Sequence, residues 1–348
     1  MDNRAIAELH KKWWRRENHE ILGSNYFPVK TPYGGLDIEI PPSQMAVRKK
    51  ANADAISAAD VPSDTLNVQA VNFGPALLPA LAGAGFEYDA HTSWSVQAYA
   101  SANLAKVSTF NPRHPLLEKY IRRLEPLLEN WSWDTYLPSL ADYLGPLDIV
   151  AGLIGSEKLA VELYDNPGDV RRLASDAAKL LAEAIAFELE LHRKAGLTDG
   201  VTDTFGVWLP GKGVRLSEDF STLVGPDQFR EFFHAPDSYI CENMDSVFMH
   251  VHSGAIQCLP GFLDVRKMGA IEFGNDPNGP GLDDRIDAGR LVQQKGLPLQ
   301  MTSWNIRLKD EEVLKIVRSL DPKGLLVRFQ TDSAEEARAL HHLIKSTR

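Results

Sequence analysis

The second half of the chain alternates short apolar runs with longer segments of helical periodicity. Between residues 166 and 196, apolar side chains recur in steps of three and four, the spacing of one buried helix face. Asn166-Pro167 precedes this run and Ala195-Gly196 follows it. An N-cap residue with proline in the first turn opens helices, and glycine commonly closes them. The pattern therefore predicts one long amphipathic helix between these two points.

Three further helices carry similar signals at their ends. Gly225-Pro226 opens a helix rich in phenylalanine, which we expect to close near Pro236. Another helix begins at Asp310. Ser333, with Glu336 three residues later, forms a capping box and predicts the start of the last helix.

Short apolar runs lie between these helices and predict buried strands. They cover residues 246–251, 270–273, 297–302 and 325–329, and a helix follows each. This alternation is typical of a parallel sheet, either a closed (β/α)8 barrel or a doubly wound open sheet. No GxGxxG turn or P-loop follows any strand, so the sequence offers no nucleotide site. Residues 1 to about 65 are the least regular and predict a helix followed by an irregular wrapping segment.

Composition and charge narrow the class of protein. The chain has 348 residues, a formal net charge of -10 and 44% hydrophobic residues, as expected of a soluble protein with a sizeable core. An anionic protein repels nucleic acid and anionic membranes unless it has a local basic patch. The dense basic run at residues 11–16 is either the exposed face of a first helix, with Trp13 and Trp14 packed inward, or an anion-binding arm.

The cysteine count and the N-terminal residues bear on the compartment. Cys241 and Cys258 cannot form a disulfide framework, which favours a reducing compartment. Residues 1–20 lack the apolar core of a signal peptide, and no window is apolar over the roughly 18 residues that a membrane span needs. We therefore expect a cytoplasmic protein that binds neither nucleic acid nor membrane.

Two histidines end the first of the predicted strands. His250 and His252 are two residues apart, so their side chains point to the same face of the strand. Two neutral imidazoles at this spacing suit zinc or another borderline divalent metal. The alternative is a pair of histidines that are hydrogen-bonded in a polar barrel mouth and bind substrate or nothing.

Polar residues also follow the next strands, where a barrel carries its chemistry. Glu272 and Asp276 are candidates to complete a metal site or to act as a general base. Asn275 and Asp276 lie in an Asn-Asp-Pro-Asn-Gly segment, which is also a good turn sequence. Thr302-Ser303-Trp304-Asn305 and Gln330 close the predicted ring of polar residues.

The earlier part of the chain supplies further candidates. Asp142 lies in a segment that passes from an apolar strand into a helix. It either lines the rim, beside a helix N-terminus that could hold an anion, or caps the helix. Asp203 follows a probable strand. Asp219, beside Glu218, lies in a rim loop and is either an acid–base or cation-binding group or a solvated loop charge. Trp94 forms an aromatic wall of the site or part of the core.

Several segments together resemble successive landmarks of the uroporphyrinogen decarboxylase superfamily, over about residue 65 to the C-terminus. These segments are Asp142-Tyr143-Leu144-Gly145-Pro146-Leu147-Asp148, Leu163-Tyr164-Asp165-Asn166-Pro167, Ser217-Glu218-Asp219-Phe220-Ser221, Gly225-Pro226-Asp227-Gln228-Phe229 and residues 250–254. The resemblance implies a (β/α)8 TIM-type barrel over residues 66–348. An N-terminal helical and irregular extension, residues 1–65, would pack on that barrel.

Departures from the family pattern distinguish its branches. The haem-pathway decarboxylases carry an Arg-Gln-Ala-Gly-Arg-Tyr stretch near the N-terminus, which the segment from Arg15 to Glu20 does not match. They also place an aspartate after a Phe-Ser pair, whereas this chain has Phe73-Gly74-Pro75. The resemblance therefore favours the methyltransferase-like, or trimethylamine-corrinoid-protein-like, branch.

In that branch a zinc ion is bound through His-x-Cys and a distant cysteine. His250 matches the first ligand and His252 replaces the cysteine, while no cysteine follows Cys258. Zinc with two imidazoles and oxygen ligands is chemically reasonable, with less thiolate character.

The resemblance implies a corrinoid-linked methyltransferase that moves a methyl group between a small substrate and a corrinoid carried by a partner protein. A zinc or other divalent ion on His250 and His252 would act as a Lewis acid. The alternatives are a lyase, such as a decarboxylase of a small carboxylated substrate, and a non-catalytic ligand-binding barrel. We assign catalytic roles to Asp219 and Glu272, and the following set to substrate binding: Trp94, Asp142, Asp203, Asn275, Asp276 and Gln330.

Overall fold

The computed structural model of the chain describes residues 2–26, 31–277, 279–303 and 306–347. Trp304 and Asn305 of the predicted polar ring therefore lie outside the described residues. The α-helices among the described residues are Asn3–Trp14 (α1), Pro42–Ala58 (α2), Leu77–Ala82 (α3), Pro115–Asn130 (α4), Pro146–Ile154 (α5), Ser156–Asp165 (α6), Pro167–Lys194 (α7), Pro226–Phe232 (α8), His234–Asn243 (α9), Leu259–Asp264 (α10), Leu282–Gln294 (α11), Asp310–Ser319 (α12) and Ala334–Ser346 (α13). Two 3-10 helices, Asp219–Leu223 and Ser253–Cys258, follow strands directly.

The strands form a mixed α/β fold around a parallel sheet. Their bounds are Leu22–Tyr26 (β1), Val68–Gln69 (β2), Gly85–Tyr88 (β3), Ser93–Val96 (β4), Leu137–Pro138 (β5), Tyr143–Leu144 (β6), Gly200–Thr202 (β7), Trp208–Pro210 (β8), Gly213–Ser217 (β9), Ser246–Val251 (β10), Ala270–Phe273 (β11), Leu299–Thr302 (β12) and Leu325–Gln330 (β13). Seven of them pair in the order β1-β13-β12-β11-β10-β9-β6. All six pairings in that sheet are parallel. These strands therefore form one continuous parallel sheet.

Alternation along the strands separates the two faces of this sheet. Leu216, Met249, Phe273, Met301 and Val327 lie on one face and belong to the main hydrophobic core. Side chains at the intervening positions point to the opposite face, because successive residues of a strand alternate. Towards the carboxyl ends of the strands these intervening positions are polar, and we call this polar face the inner face.

Most of the predicted elements are confirmed. The long helix spans Pro167–Lys194, and two of the four strands have the predicted bounds, Ser246–Val251 and Ala270–Phe273. The side chain of Ser333 accepts a hydrogen bond from the backbone N of Glu336, as a capping residue should. The strand predicted from residue 297 begins at Leu299.

Two predictions of local structure were wrong. The phenylalanine-rich helix ends at Phe232, before the expected end near Pro236. A second helix, α9, begins at His234 and contains this proline in its first turn. Proline is tolerated there because the first N–H groups of a helix have no intrahelical acceptor. The segment predicted as irregular contains α2 and also β1, which pairs with β13 in the central sheet. The division of the chain at residue 65 stays a prediction.

The first helix is amphipathic, with tryptophan on its buried side. Trp13 is fully buried and its ring meets Phe248 edge-on at 5.7 Å. Arg16, from the same basic run, donates to the backbone O of Gln293 and forms an ion pair with Asp321. The burial of Trp13 confirms the predicted first helix with tryptophan packed inward. In the described part of the chain, no helix is long and apolar enough to cross a membrane.

Candidate functional site

Glu272 lies at the centre of a buried polar cluster on the inner face. Its Oε2 accepts from Nε and Nη2 of Arg215, at 3.2 and 3.0 Å. Its Oε1 accepts from Gln300 Nε2 at 3.0 Å and from Thr302 Oγ1 at 2.8 Å. Burial raises the pKa of Glu272, but the charges of Arg215 and then His250 outweigh it and hold the pKa well below its usual range. Glu272 is therefore a buried carboxylate rather than a carboxylic acid.

His250 lies beside Glu272 because strand register places it there. On β10 it is the partner of Glu272 on β11 and of Ser217 on β9. Its Nδ1 is 3.1 Å from Glu272 Oε2, a close contact whose direction is not that of an aligned hydrogen bond. The Cε1 edge of the ring faces Gly274, where an added Cβ would lie 3.4 Å from Cε1 and 3.8 Å from Nε2. The absence of a side chain at residue 274 thus leaves the Nε2 edge of the imidazole less covered.

His252 lies between two carboxylates just beyond the end of β10. Its Nε2 is 3.1 Å from Asp219 Oδ1 and its Nδ1 is 2.9 Å from Asp276 Oδ1. The hydrogen bonds with Asp219 and Asp276 raise the pKa of His252 to about 10. The His250 and His252 rings are 4.8 Å apart and nearly perpendicular. The two predicted histidines therefore lie together, with one beside a single carboxylate and the other between two.

This arrangement bears on the predicted metal. A ligating imidazole must offer a deprotonated nitrogen to the ion, whereas both nitrogens of His252 contact carboxylate oxygens. Among the residues that the structure describes, no three or more His, Cys, Asp or Glu side chains are arranged to hold a metal ion. In this geometry the donor set does not fit a bound divalent ion, since His252 would have to release one carboxylate and its proton. The metal at His250 and His252 stays a prediction.

Arg215 connects the cluster to two more of the predicted residues. Asp142 immediately precedes β6, whose Tyr143 pairs with Leu216, and its Oδ1 accepts from Arg215 Nη1 at 2.9 Å. Asp203 Oδ2 lies 4.0 Å from Arg215 Nε. Burial raises the pKa of Asp203 to about 6, against the opposing attraction of Arg215. Asp142 and Asp203 therefore both lie at the inner face, the first half-exposed and the second buried.

Phe205 covers part of this cluster. Asp203 Oδ1 accepts from the backbone N of Phe205 at 3.0 Å and of Val207 at 2.7 Å, which fixes the turn that carries the phenylalanine. The guanidinium carbons of Arg215 and Arg328 lie 4.4 and 4.6 Å from the centre of its ring. Cation–π contacts of this kind are attractive, and more so when they are shielded from water.

The 3-10 helix that begins at Asp219 is held by the segment from Asp142 to Asp148. The carboxylate of Asp148 on α5 accepts from the backbone N of Asp219 and of Phe220, at 2.9 and 2.7 Å. The backbone N of Gly145 donates to Ser217 O at 2.6 Å. Ser217 Oγ donates to Asp219 Oδ1. These contacts orient the Asp219 carboxylate towards His252.

Gly145 leaves the space that the side chain of Glu218 occupies. A Cβ built at residue 145 would lie 2.0 Å from Glu218 Oε1 and 2.1 Å from Cδ. Gly145→Ala should therefore overpack this contact and lower the free energy of unfolding by about 1–3 kcal/mol in urea denaturation. Gly168→Ala is the matched control, because a Cβ at residue 168 meets nothing within 4 Å. Equal stability of the two variants would contradict the close packing of Glu218 on Gly145.

Glu218 and Asp237 form a buried pair of carboxyl groups. Both side chains are buried, and neither has an aligned hydrogen-bond partner. Burial raises the pKa of Asp237 to about 7, and burial followed by the charge of Asp237 raises the pKa of Glu218 well above its usual value. The pair therefore holds protons that the unfolded chain would release at lower pH.

This pair predicts a pH dependence of stability. A carboxyl group whose pKa is raised in the folded protein stabilises the fold fully at pH values below its pKa in the unfolded chain, which is about 4. This stabilisation is lost as the pH rises towards 7, the pKa of Asp237 in the folded protein. Asp237→Asn removes the titrating group, so the variant does not lose this stabilisation. The free energy of unfolding of the variant, minus that of the wild type, should therefore rise between about pH 4 and pH 7. Urea denaturation across this range measures the difference, with exposed Asp227→Asn as control. A difference that is constant with pH would contradict the assignment.

Two of the predicted residues, Trp94 and Asn275, make their contacts outside the Glu272 cluster, and a third, Gln330, lies on the inner face. Trp94 is 42% exposed on β4, donates to Glu87, and lines a separate cavity of about 370 Å³ together with Asp148. Asn275 is buried, accepts from Arg285 Nη1 at 2.6 Å, and donates to Ile306 O at 3.1 Å. Gln330, half-buried, ends β13 two residues beyond Arg328 and therefore points to the same face.

Comparison with known proteins shows a likeness of structure but none of sequence. No family model matches the sequence, and no curated protein matches it. The chain is similar in structure to a methyltransferase from Methanosarcina mazei, with a TM-score of 0.67. The likeness covers 97% of this chain and 98% of that chain at 11% sequence identity. At this identity the likeness shows the fold alone.

Proposed function

We propose that the chain is a corrinoid-linked methyltransferase built on a closed (β/α)8 barrel of the uroporphyrinogen decarboxylase type. The observation that carries the proposal is the end-to-end structural likeness to a methyltransferase, combined with the polar cluster on the inner face. Active sites of such barrels lie at the carboxyl ends of the strands. Glu272, His250 and Asp219 all lie at or just beyond strand ends.

Contacts outside the seven-stranded sheet support the closed barrel. The backbone N of Asp64 donates to Gly23 O on β1 at 2.8 Å, and β2 follows a few residues later. β2 pairs in parallel with β5, and β6 follows β5 and pairs with β9. Backbone contacts and short stretches of chain therefore connect β1, by way of Asp64, β2 and the 137–144 segment, to β9.

The residues of the inner face supply acid–base chemistry. When a methyl group leaves a heteroatom, that atom keeps the bonding electron pair and gains basicity, so a nearby proton donor favours the step. His250 is placed to hold and deliver this proton, with the adjacent Glu272 carboxylate to stabilise its charged form. Arg215, Gln300 and Thr302 fix Glu272 in place. A corrinoid on a partner protein would supply or accept the methyl group.

Asp219 acts in this proposal as a positioning residue. It holds His252 from one side while Asp276 holds it from the other. The imidazolium places a fixed positive charge close to His250. Such a charge stabilises negative charge that develops on an acceptor or leaving group in the mouth of the barrel.

One arrangement favours a second function, the decarboxylation of a small carboxylated substrate. Arg215 and Arg328 flank Phe205, and guanidinium groups bind carboxylates well. Asp203, whose pKa burial raises to about 6, would then be the proton donor to the resulting carbanion.

A spectroscopic assay separates the two functions. The protein is incubated with cob(I)alamin and a panel of methylated amines, ethers and thiols, and the corrinoid spectrum is followed. Methyl transfer predicts protein-dependent formation of methylcobalamin with at least one class of donor. No spectral change across the panel, together with release of carbon dioxide from a carboxylated compound, would replace the first proposal by the second.

A further inference from the structure

We propose that Glu188 on α7 is a positioning residue for the inner-face site, which it reaches through the segment that carries Asp142. The proposal rests on the proposed function, because it assigns this residue a role in the same site. It follows from the burial of Glu188, from its contacts with both chain neighbours of Asp142, and from the small space beside it.

Glu188 lies on the side of α7 where an amphipathic helix is expected to be apolar. It is 4% exposed and shares the buried face of α7 with Leu181, Ile185 and His192. A glutamate is rarely buried to this degree unless its carboxyl group is hydrogen-bonded. Burial raises the pKa of Glu188, and hydrogen bonds from two tyrosines and one backbone N–H oppose this rise. Specific donors therefore hold the carboxyl group inside the core.

The donors to Glu188 come from two parts of the chain. Tyr120 on α4 donates its hydroxyl to Oε1 at 2.7 Å. Tyr143 on β6 donates its hydroxyl to Oε2, and the backbone N of Ala141 lies 3.2 Å from both oxygens. Ala141 and Tyr143 are the two chain neighbours of Asp142. One carboxyl group therefore holds the chain on both sides of that residue.

The segment around Asp142 has little regular structure of its own. Residues 141 and 142 belong to no helix or strand, and β6 is two residues long. The backbone N of Leu140 donates to Thr202 O on β7, whereas Tyr143 pairs with Leu216 on β9. The chain therefore passes from one strand to another at residues 141–142, where Glu188 supplies the acceptor that the backbone N–H of residue 141 needs.

Asp142 connects this segment to the polar cluster. Its Oδ1 accepts from Arg215 Nη1 at 2.9 Å, and Arg215 donates its Nε and Nη2 to Glu272. Glu272 is the carboxylate beside His250. The contacts on both sides of Asp142 thus fix one of the three hydrogen bonds that orient Arg215.

Glu188 has no space to act on a substrate directly. The cavity that it lines with Tyr120, Ala141 and Tyr143 has a volume of about 20 Å³, enough for one water molecule, and apolar side chains form the rest of its lining. His192 Nε2 is 3.9 Å from Oε1, and burial lowers the pKa of this histidine to about 3. Glu188 therefore acts by holding the chain and not by contact with a ligand.

Two tyrosine substitutions separate positioning from stability. Tyr143→Phe and Tyr120→Phe each remove one hydroxyl donor to the same carboxyl group, and both side chains are 3% exposed. We expect similar losses of stability in urea denaturation, because the deleted hydrogen bonds are alike. Tyr143→Phe alone should lower kcat in the corrinoid assay, by about tenfold, with KM changed by less than about twofold. Equal kinetic losses, or a change in KM alone, would overturn the proposal.

A double-mutant cycle tests whether the effect passes through Asp142. Glu188→Gln keeps the shape of the side chain but replaces one acceptor oxygen by an amide nitrogen, which cannot accept. Glu188→Gln and Asp142→Asn should each lower kcat about tenfold, and the double variant should be no slower than the slower single variant. Tyr143→Phe takes the place of Glu188→Gln if circular dichroism shows that the latter does not fold. Additive losses, or an unchanged kcat in either single variant, would overturn the proposal.

An NMR measurement tests the same positioning without the enzyme assay. In protein with ¹⁵N-labelled arginine, the Nη1 resonance of Arg215 reports its hydrogen bond with Asp142, and Arg215→Lys assigns it. We expect Glu188→Gln to move this resonance in the same direction as Asp142→Asn, and Tyr120→Phe to leave it in place. An unmoved resonance in Glu188→Gln would overturn the proposal.

The outcomes for Glu188 and for the function are distinguishable. A moved Arg215 resonance in a protein that shows no methyl transfer would contradict the proposed function and leave the positioning role of Glu188 standing. Methyl transfer that is unchanged by Glu188→Gln and by Tyr143→Phe would leave the function standing and contradict the positioning role.

Discussion

Replacing Arg215 by methionine is expected to lower the free energy of unfolding by about 3–5 kcal/mol, because it leaves a buried carboxylate without its cation. Arg215 is the cation nearest to Glu272 and also lies close to buried Asp203. Urea denaturation at neutral pH measures the loss. Arg193→Met is the control, since Arg193 pairs with Glu190 on the exposed side of α7 and contributes little.

A double substitution tests whether the loss arises from the Arg215–Glu272 pair. Glu272→Gln in the Arg215→Met background removes the stranded charge, so the double variant should be more stable than the sum of the single effects predicts. Additive losses would mean that Arg215 stabilises the fold through packing alone.

Replacing His250 by asparagine is expected to have the largest effect on catalysis. In the proposed function His250 holds the transferred proton, and removal of such an acid–base group typically lowers kcat by about 10²–10⁴-fold. The corrinoid assay with the best donor of the panel gives kcat, and circular dichroism shows whether the fold is kept. His91→Asn is the matched control, because His91 is exposed in the loop between β3 and β4. Retention of more than half of the wild-type kcat by His250→Asn would contradict the role of this residue.

The sequence predicts the second half of the fold well because local signals are strong there. Apolar runs of four to six residues give β10, β11 and β13, and capping residues mark the starts of α7 and α13. β1 is different: Leu22-Gly23-Ser24-Asn25-Tyr26 has little apolar character, and it becomes a strand by pairing with β13, about 300 residues further along the chain. Propensity within a short window cannot report such a pairing.

The candidate site was predicted in part, for a similar reason. His250, Glu272 and Asp219 stand out because they interrupt or follow apolar runs. Arg215, Gln300 and Arg328 were missed, although each is a polar residue at an alternate position of an apolar strand, which is a signal for a polar inner face. Asn275 was assigned to substrate binding, yet its amide holds Arg285 and Ile306 through contacts that only the tertiary structure reveals.

The most direct test of the central claim, that the inner face around His250 is the site of ligand binding, is a histidine NMR spectrum. The protein, with its ten histidines labelled with ¹³C at Cε1, is titrated with the donor that is active in the corrinoid assay. We expect the His250 and His252 resonances to shift with a common saturation curve, while His91, exposed and outside the cluster, does not respond. Each resonance is assigned by the loss of one signal in a single substitution. A saturable shift of other histidines with His250 and His252 unchanged would place the ligand elsewhere and contradict the account.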